Sequence, residues 1–464
     1  MEEFDNPPNV PALGPTSPSV YYGAQTRLAV ENFPLSALRF GRRFIRALGL
    51  VKAAAAETNS ELGLLEAPVA GAIITAAQEV ADGKHDDQFV VDVFQTGSGT
   101  STNMNANEVI ANRADEVLGE TPGTGQVHPN DHVNLCQSSN DVIPTAAHVA
   151  ALTAISEVLL PGLQRLAEAL GAKAEQFDPI IKTGRTHLMD ATPVRLGQEF
   201  GGFQSQVEHG LARIAGVLPH LSELALGGTA VGTGINAHPK FAEKTIARLS
   251  AATGIPLTEA PNHFEAQSAR DAIVEASGAL KTVAVSIAKI ANDLRWMASG
   301  PSGGIGEIKL PELQAGSSIM PGKVNPVIPE AVIQVAAQVI GNDATITLGG
   351  LGGVFELNTM VPVMAYDLIF SIETLGAAAE LLASRCVEGI AADDCRCAEP
   401  LKSGLMIATS LVPELGYDKV AEITEIAEQT GKGLKEIILE RGLMPEEEID
   451  KALDLRRMTE GDPQ

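Results

Sequence analysis

Long stretches in which apolar residues recur every three or four positions most constrain how this 464-residue chain can fold. These helical patterns cover residues 42–62, 107–119, 146–177, 266–298, 329–348 and 362–387. Apolar residues form 45% of the sequence but aromatic residues only 4%, so the core must consist mainly of Ala, Leu, Ile and Val. Small aliphatic side chains suit close-packed helices better than sandwiches or barrels. We therefore predict a mainly all-α protein.

The longest patterns are rich in small residues and predict a bundle of five long helices. Some of their faces are too apolar for a monomer, so we expect an oligomer that buries them. The first 20 or so residues are proline-rich, which predicts an extended arm. The sequence thus predicts a mainly helical N-terminal domain with this arm at 1–137, a central long-helix bundle at 138–392 and a small helical domain at 393–464.

One further helix start is predicted from local chemistry at residues 192–193. Thr192 is a common N-cap residue, and Pro193 would occupy the first helical position, where its missing N–H costs nothing. An apolar periodic segment follows, so we expect a helix to begin here.

The chain has 33 Lys and Arg against 58 Asp and Glu, a formal net charge of −25. Such a surface repels nucleic acids and anionic membranes, and an anion site must create its own local positive potential. The alternative that the acidity is an adaptation to salt stays open. We find no apolar run that approaches membrane-spanning length and no signal or transit peptide, so we expect a cytoplasmic protein without nucleic-acid or membrane partners.

The four cysteines, Cys136, Cys386, Cys395 and Cys397, are too few and too unevenly spaced for a disulfide scaffold. Cys395 and Cys397 form a close pair, but no second pair or nearby histidine completes a tetrahedral zinc site. We expect reduced thiols and no metal site.

Polar, glycine-containing loops separate the helical patterns, and two of them precede predicted helices. Residues 96–105 offer Ser98 and Thr100 beside glycines, without the ending of a nucleotide-binding Walker loop. Residues 128–145 contain Ser138, Ser139 and Asn140, which are suited to aim donors and a helix N-terminus at an anion. The same three residues are also ordinary helix caps, and local sequence leaves both interpretations open.

Two later loops contain further candidates. Residues 184–193 present Thr186 and His187, although a single histidine near a helix end is often structural. Residues 316–326, GSSIMPGKVNP, include Pro321 and Gly322 and therefore cannot form an ordinary helix. We expect a loop that opens and closes over a ligand, with a flexible linker as the alternative.

Taken together, these loops resemble the fumarase/aspartase superfamily and, within it, the metal-independent class II fumarases. The segment 316–326 matches a signature of the superfamily, and the resemblance runs from Tyr21 to the C-terminal region. It implies a three-domain fold whose five-helix bundles form the core of a homotetramer, with each active site shared between three subunits. It implies no cofactor and a small dicarboxylate substrate.

Four motifs resemble fumarases more than aspartases: TGSGT at 96–100, HPND at 128–131, QSSND at 137–141 and FELN at 355–358. Residues 430–450 and the segment beginning at Tyr21 look more like aspartases, but they lie away from the inferred pocket. The implied activity is therefore reversible hydration of fumarate to (S)-malate. Aspartate ammonia-lyase activity and a non-catalytic structural role are the alternatives.

The resemblance also assigns roles to individual residues. Ser317 would remove the carbon-bound proton, with Ser318 as the less favoured base, and Lys323 and Asn325 would stabilise the carbanion. His187 would face the exchanged water, and Glu330 would orient its ring, although Glu330 also suits the first turn of a helix for electrostatic reasons alone. The residues implied as ligands of substrate carboxylate and hydroxyl groups are Ser98, Thr100, Ser138, Ser139, Asn140 and Thr186.

A second, shallower dicarboxylate site is implied at His128, Asn130 and Asp131. Some relatives have a basic residue three positions before the histidine, where this chain has Gly125. We expect this second site to bind weakly or not at all.

Overall fold

The computed structural model describes residues 20–461. The predicted N-terminal arm therefore lies outside the described residues, apart from its last position. The helices of the first half are α1 Ala24–Asn32, α2 Arg42–Glu61, α3 Ala67–Ala81, α4 Thr100–Val117, α5 Ser139–Ala154, α6 Leu160–Gln176, α7 Leu196–Leu221 and α8 Phe241–Thr253. Those of the second half are α9 His263–Ser268, α10 Asp271–Met297, α11 Val327–Gly350, α12 Val361–Arg385, α13 Asp394–Ser403, α14 Val412–Leu415, α15 Tyr417–Thr430, α16 Leu434–Glu440, α17 Glu446–Ala452 and α18 Leu455–Met458.

The strands are short and form two-stranded sheets. They are β1 Ile181–Thr186, β2 Met189–Arg195, β3 Glu223–Leu224, β4 Thr258–Glu259, β5 Ile308–Lys309, β6 Gly353–Val354, β7 Leu357–Asn358 and β8 Ala391–Ala392. β1 pairs with β2, β5 with β8 and β6 with β7 in antiparallel fashion, whereas β3 and β4 are parallel. The prediction of a mainly helical protein is confirmed.

The predicted long helices are present, with small changes at their ends. α5 continues into α6 through a π-helical turn at Ile155–Leu159, and α7, α10, α11 and α12 are the other long helices. Small residues let these helices approach closely, as the aliphatic composition suggests. A Cβ placed on Gly376 of α12 would lie 2.8 Å from the Leu159 Cα, and one on Gly49 of α2 would lie 2.7 Å from the Ala81 N.

Two compact units divide the described chain. One consists of residues 20–161, 210–284 and 335–377, and the other of 162–209, 285–334 and 378–461. The boundaries fall within long helices, so each unit is assembled from segments that are distant in sequence. The three-domain division at 1–137, 138–392 and 393–464 stays a prediction.

The shorter helices near the C-terminus surround an aliphatic core of their own. Its most buried side chains include Leu411, Ile423, Ile437, Ile438 and Ile449. Burial of each such side chain contributes on the order of 2 kcal/mol, which is sufficient to hold helices of this length in place.

Two predicted loops are shorter than expected because the helices after them begin early. Helix α4 starts at Thr100, directly after Gly99, whose φ of 77° marks a left-handed N-cap. Helix α5 starts at Ser139 rather than near residue 146. Polar first turns concealed both starts from a search for apolar periodicity, since helix N-termini favour Ser, Thr and Asn.

The helix start predicted at Thr192 and Pro193 was wrong. Both residues lie in β2, where Pro193 pairs with Thr183 of β1, and helix α7 begins only at Leu196. A two-stranded sheet leaves one edge of each strand unpaired, so a proline without an N–H is tolerated there.

Within residues 20–461, two helices have the length and composition that a membrane span requires, Ser139–Gln176 and Val361–Gly389. The expectation that no apolar segment approaches this length was therefore wrong, because it considered uninterrupted runs rather than averages. The most apolar windows of these helices are 83% and 61% buried inside the protein, as is usual for core helices of soluble proteins. The absence of a membrane partner stays a prediction.

Candidate active site

The first two predicted loops meet through their hydroxyl groups in the first unit. Thr100 Oγ1 lies 2.8 Å from Ser98 Oγ and 2.7 Å from Ser139 Oγ. A Cβ on Gly99 would lie 2.7 Å from Ile143 Cγ2, so only glycine allows this close approach between the starts of α4 and α5. The three hydroxyls form one cluster that we call the hydroxyl cluster.

The N-terminus of α5 begins beside this cluster. Ser138 Oγ accepts a hydrogen bond from Asn140 N at 3.2 Å, and Asp141 Oδ1 accepts one from Ser138 N at 3.0 Å. The capping interpretation of Ser138 is therefore correct, and it leaves the Ser138 O–H free to donate elsewhere. Asn140 Nδ2 donates to Ala230 O at 2.8 Å. The amide of Asn140 thus has one of its two N–H groups already engaged.

Two buried charges support the start of α5, and the sequence interpretation missed both. Asp141 is fully buried and accepts hydrogen bonds from Gly227 N and Thr229 N, each at 3.0 Å. Burial raises the pKa of Asp141, while its backbone hydrogen bonds and Lys52 oppose that shift. Lys52 donates to Asn134 Oδ1 at 3.1 Å and to Gln137 Oε1 at 3.0 Å.

Lys52 is also fully buried, and burial lowers its pKa to about 7. The available signal was a lysine in the middle of the apolar segment GLVKAAAA at 49–56. A lysine is almost never fully buried without polar partners, so such a position predicts a buried polar network beneath it.

In the second unit, Thr186 and His187 lie at the tip of the β1–β2 hairpin rather than before a helix. Thr186 pairs with Met189, so His187 and Leu188 form a two-residue turn. Their φ values are 58° and 62°. Positive φ at both positions is typical of a type I′ turn, which strongly favours Asn and Gly. A histidine and a leucine in this conformation are strained, and such strain is common at functional sites.

An ion-pair network anchors the base of this hairpin. Glu307 has a side chain only 1% exposed and lies 2.7 Å from both Lys182 Nζ and Arg185 Nη2. Lys182, also 1% exposed, lies 3.0 Å from Glu199 Oε1. Burial raises the pKa of Glu199, which Lys182 opposes. Removing one partner of such a buried pair costs about 3–5 kcal/mol, so the network fixes β1 and hence the position of the turn.

The segment 316–326 is a loop, as predicted, and it is closed by its own hydrogen bonds. Gly316 N donates to Lys323 O at 2.9 Å, and Asn325 Nδ2 donates to Gly316 O at 2.7 Å. Ser317 Oγ accepts hydrogen bonds from Ile319 N at 3.2 Å and Met320 N at 3.0 Å. Two backbone donors therefore point at the oxygen of Ser317, and none of the described hydrogen bonds involves the Ser318 hydroxyl.

Several predicted partners are not in contact within one chain. Glu330 lies in the first turn of α11. Among the described residues of the second unit, no hydrogen bond or ion pair joins Glu330 to His187 or His187 to Ser317. Lys323 is exposed on the loop 316–326. The roles of these residues stay predictions.

The residues of the implied second site form a local turn. His128 Nδ1 accepts hydrogen bonds from Asn130 N at 3.3 Å and Asp131 N at 3.1 Å. It caps the π-helical turn Pro129–Val133. Because this nitrogen is engaged as a cap, only Nε2 of the His128 ring remains for a ligand.

The four cysteines form no disulfide. Cys136, Cys386 and Cys397 are buried and Cys395 is exposed, and all four are free thiols. Within residues 20–461, no three side chains of His, Cys, Asp or Glu are grouped as metal ligands.

The sequence and the fold are both similar to those of known proteins. Residues 15–341 match a family described as "Lyase", and residues 407–460 match one described as "Fumarase C C-terminus". A protein of Halobacterium salinarum named "Fumarate hydratase class II" is 56% identical over 439 residues, covering 95% of this chain and 93% of its own. One of the same name from Nitrosomonas europaea is 53% identical over 443 residues, covering 95% and 96%.

Among solved structures, the recombinant class II fumarase of Schistosoma mansoni superposes with a TM-score of 0.92 at 36% sequence identity. The match covers 95% of this chain and 96% of that one. Fold and sequence together define a lyase. The chain belongs to the class II fumarase family of the fumarase/aspartase superfamily.

The strained turn yields a prediction about stability. Leu188→Gly should raise the free energy of unfolding by about 0.5–1 kcal/mol. Glycine adopts positive φ without steric cost, and the strain relieved exceeds the free-energy cost of ordering the more flexible glycine on folding. Chemical denaturation monitored by circular dichroism measures the change.

Leu35→Gly is the matched control, since Leu35 is 64% exposed and has no positive φ. It should give no gain. Equal effects of the two substitutions would show that the turn stores no strain.

Proposed function

We propose that this protein is a fumarate hydratase of class II, which reversibly adds water to fumarate to give (S)-malate. The geometric observation that supports this most directly is Ser317, whose oxygen receives two backbone N–H groups in a glycine-containing loop. The identification of fumarate as the substrate is supported by the name that the relatives share, fumarate hydratase class II. The reaction is a lyase reaction that requires a base, a site for a dicarboxylate and a way to stabilise a carbanion.

Ser317 is the proposed base that removes the proton from the carbon next to a carboxylate. A serine hydroxyl is a weak base in water, and it serves only when its alkoxide is stabilised. The N–H groups of Ile319 and Met320 supply that stabilisation, because hydrogen bonds to the charged form favour it. Closure of the loop over the substrate would exclude water and strengthen both bonds.

The carbanion that follows proton removal places additional negative charge on a carboxylate. Stabilising this charge is the main catalytic task. Lys323 supplies a positive charge and Asn325 supplies an amide. Since one N–H of the Asn325 amide already binds Gly316 O at 2.7 Å, its remaining N–H is the one that faces the substrate.

His187 and Glu330 are the proposed pair at the exchanged water. The turn holds His187 exposed at the hairpin tip, where its ring can reach a ligand. Glu330 would orient the ring and favour its charged form. The His187 ring either protonates the leaving hydroxyl or orders the water.

The hydroxyl cluster Ser98, Thr100 and Ser139, together with Ser138, Asn140 and Thr186, is the proposed site for the carboxylates and hydroxyl of the substrate. The N-terminus of α5 adds the partial positive charge of a helix dipole. This local field offsets the repulsion that a chain of net charge −25 exerts on a dianion.

We further propose a homotetramer in the cytoplasm, with each active site built from three subunits and without metal, cofactor, nucleic acid or membrane. Within the second unit, none of the described hydrogen bonds or ion pairs joins His187 to Ser317 or Glu330, which supports a site shared between copies. The exposed apolar side chains of Leu348, Leu351, Val354 and Phe355, 63–88% exposed, are candidates for the surface between copies. The weak second site at His128, Asn130 and Asp131 also stays a proposal.

The proposed reaction is tested by following the ultraviolet absorbance of the fumarate double bond with malate as substrate and a chelator present. We expect fumarate to form, because no step assigned above uses a metal. Ammonia release from aspartate is the control for the ammonia-lyase alternative. Ammonia release without malate dehydration would contradict the proposal, and activity that appears only after iron is added would contradict its metal independence.

The role of Ser317 predicts a distinct kinetic pattern. Ser317→Ala should lower kcat by on the order of a hundredfold or more with little change in KM, since the base acts mainly in the transition state. Lys323→Ala should impair both binding and turnover, because the lysine contacts a carboxylate in both states. Ser318→Ala is the matched control and should be mild. Near-normal turnover in Ser317→Ala with loss in Ser318→Ala would assign the base to the other serine.

A site shared between subunits predicts complementation between inactive variants. Ser317→Ala and His187→Asn subunits, denatured and refolded together, should regain a measurable fraction of native turnover. Some sites in a mixed tetramer would then contain neither substitution. Each variant refolded alone is the control and should stay inactive. Sedimentation would first show that mixed tetramers have formed. If these tetramers recover no activity, Ser317 and His187 of each site come from the same subunit.

A further inference from the structure

A cavity of about 320 Å³ lies in the first unit, away from the hydroxyl cluster. It is lined by residues of α5, α9, α10 and the end of α7, among them His148 and Arg270. His148 and Ser139 are both on α5 and are separated by about 14 Å at the helical rise of 1.5 Å per residue. The proposed hydration chemistry uses none of the lining residues.

Arg270 has two unsatisfied hydrogen-bond donors in the wall of this cavity, and the nearby carboxylates of Glu265 and Asp271 partly oppose the burial-induced fall in its pKa. Arg270 is only 3% exposed. Its Nε and Nη1 atoms have no hydrogen-bond partner among the described residues. Burial lowers the pKa of Arg270 to about 10, which leaves the guanidinium charged at neutral pH. Buried N–H donors without an acceptor are costly, and a carboxylate is the group that best matches the paired N–H donors of a guanidinium.

The backbone at Arg270 is also unusual. Arg270 separates α9 from α10 and has a φ of 63°, in the left-handed region that disfavours a long side chain. The strained backbone thus places an arginine with two unsatisfied N–H donors in a cavity wall. Strain of this kind is frequent where a residue binds a ligand.

His148 supplies an acceptor beside this donor. Its Nδ1 lies 3.0 Å from Leu221 O and 3.1 Å from Glu223 O, and because both are carbonyl oxygens, Nδ1 must carry the proton. Burial lowers the pKa of His148 to about 3, so the ring is neutral. Its Nε2 is then a lone-pair acceptor, and it has no partner among the described residues. A ligand that binds both Arg270 and His148 therefore has a carboxylate for the Arg270 donors and an adjacent hydrogen-bond donor for His148 Nε2.

The outer part of the cavity is acidic. Glu223, Glu265 and Asp271 line it. The carboxylates of Glu265 and Asp271 raise the pKa of Arg270, but none of the three is hydrogen-bonded or ion-paired to a described side chain. Glu275 is paired with His220, with Glu275 Oε2 2.6 Å from His220 Nδ1. Free carboxylates repel a second carboxylate on a ligand and attract an ammonium group. They therefore favour an ammonium over a hydroxyl as the donor that accompanies the ligand carboxylate.

We propose that this cavity is a binding site for a small α-amino acid in its zwitterionic form. The ligand carboxylate contacts the Arg270 guanidinium, and its ammonium group donates to His148 Nε2 and faces the carboxylates of Glu223, Glu265 and Asp271. The site discriminates against α-hydroxy acids, which lack the positive charge, and against dicarboxylates, which the acidic lining repels. It is separate from the proposed dicarboxylate site and does not depend on the proposed hydratase function.

The test compares three small probes that differ by one group, using isothermal titration calorimetry on the full-length protein. L-Alanine contains both the carboxylate and the ammonium, L-lactate replaces the ammonium by a hydroxyl, and ethylamine lacks the carboxylate. We expect L-alanine to bind at one site per chain and the other two to bind at least about tenfold more weakly. No binding of L-alanine, or equal binding of L-lactate, would overturn the proposal.

Arg270→Gly is the decisive variant, because glycine adopts the left-handed backbone without strain. It removes both a strained residue and two unsatisfied buried N–H donors, so its melting temperature should equal or exceed that of the native protein. Its affinity for L-alanine should fall at least about tenfold. A lower melting temperature would mean that Arg270 serves the fold instead, and unchanged affinity would place the ligand elsewhere.

Two further variants complete the design. Glu265→Gln keeps the fold, since Glu265 is exposed, and should weaken L-alanine while leaving L-lactate unchanged or tighter. Arg248→Gln, which removes an arginine ion-paired to Glu57 and Glu61 on α2, is the matched control and should leave the affinity for L-alanine unaltered. Equal loss in Arg248→Gln and Glu265→Gln would show a general charge effect and contradict the site.

Discussion

The buried carboxylate of Asp141 holds together the parts of the first unit on which the candidate site depends. It accepts hydrogen bonds from Ser138 N, Gly227 N and Thr229 N, so one side chain joins the cap of α5 to a distant loop. A carboxylate that is fully buried needs such donors, and the nearby Lys52 also opposes the rise in its pKa. These hydrogen bonds hold the first turn of α5, where Ser139 Oγ lies 2.7 Å from Thr100 Oγ1.

Buried charge is used differently in the second unit. There, Glu307 lies between Lys182 and Arg185 and fixes the strand that leads to the strained turn at His187. The buried Lys182–Glu307 ion pair thus lies behind an exposed turn. Lys323, by contrast, is exposed on a loop that is closed by the hydrogen bonds of Gly316.

Hydrophobic periodicity was sufficient to predict the long helices, since burial of one apolar face determines them. It was not sufficient for the hairpin, because Thr192 and Pro193 have the local chemistry of a helix start and only pairing with β1 makes them a strand. The positive φ of His187 and the partners of Lys52, Asp141 and Arg270 also depend on tertiary structure. Loop composition predicted most candidate residues, and the family resemblance assigned their roles. The buried charges that support them have no local signature in the sequence except a lysine within an apolar helix.

The discontinuous composition of the two units affects how the chain can fold during synthesis. The first unit needs residues 335–377 as well as 20–161, and the second needs segments from 162–209 to beyond 378. Neither unit can be completed while the ribosome is still making the first two thirds of the chain. Long apolar helices such as α5 are therefore exposed for many seconds at ordinary elongation rates, the condition under which nascent chains aggregate or bind chaperones.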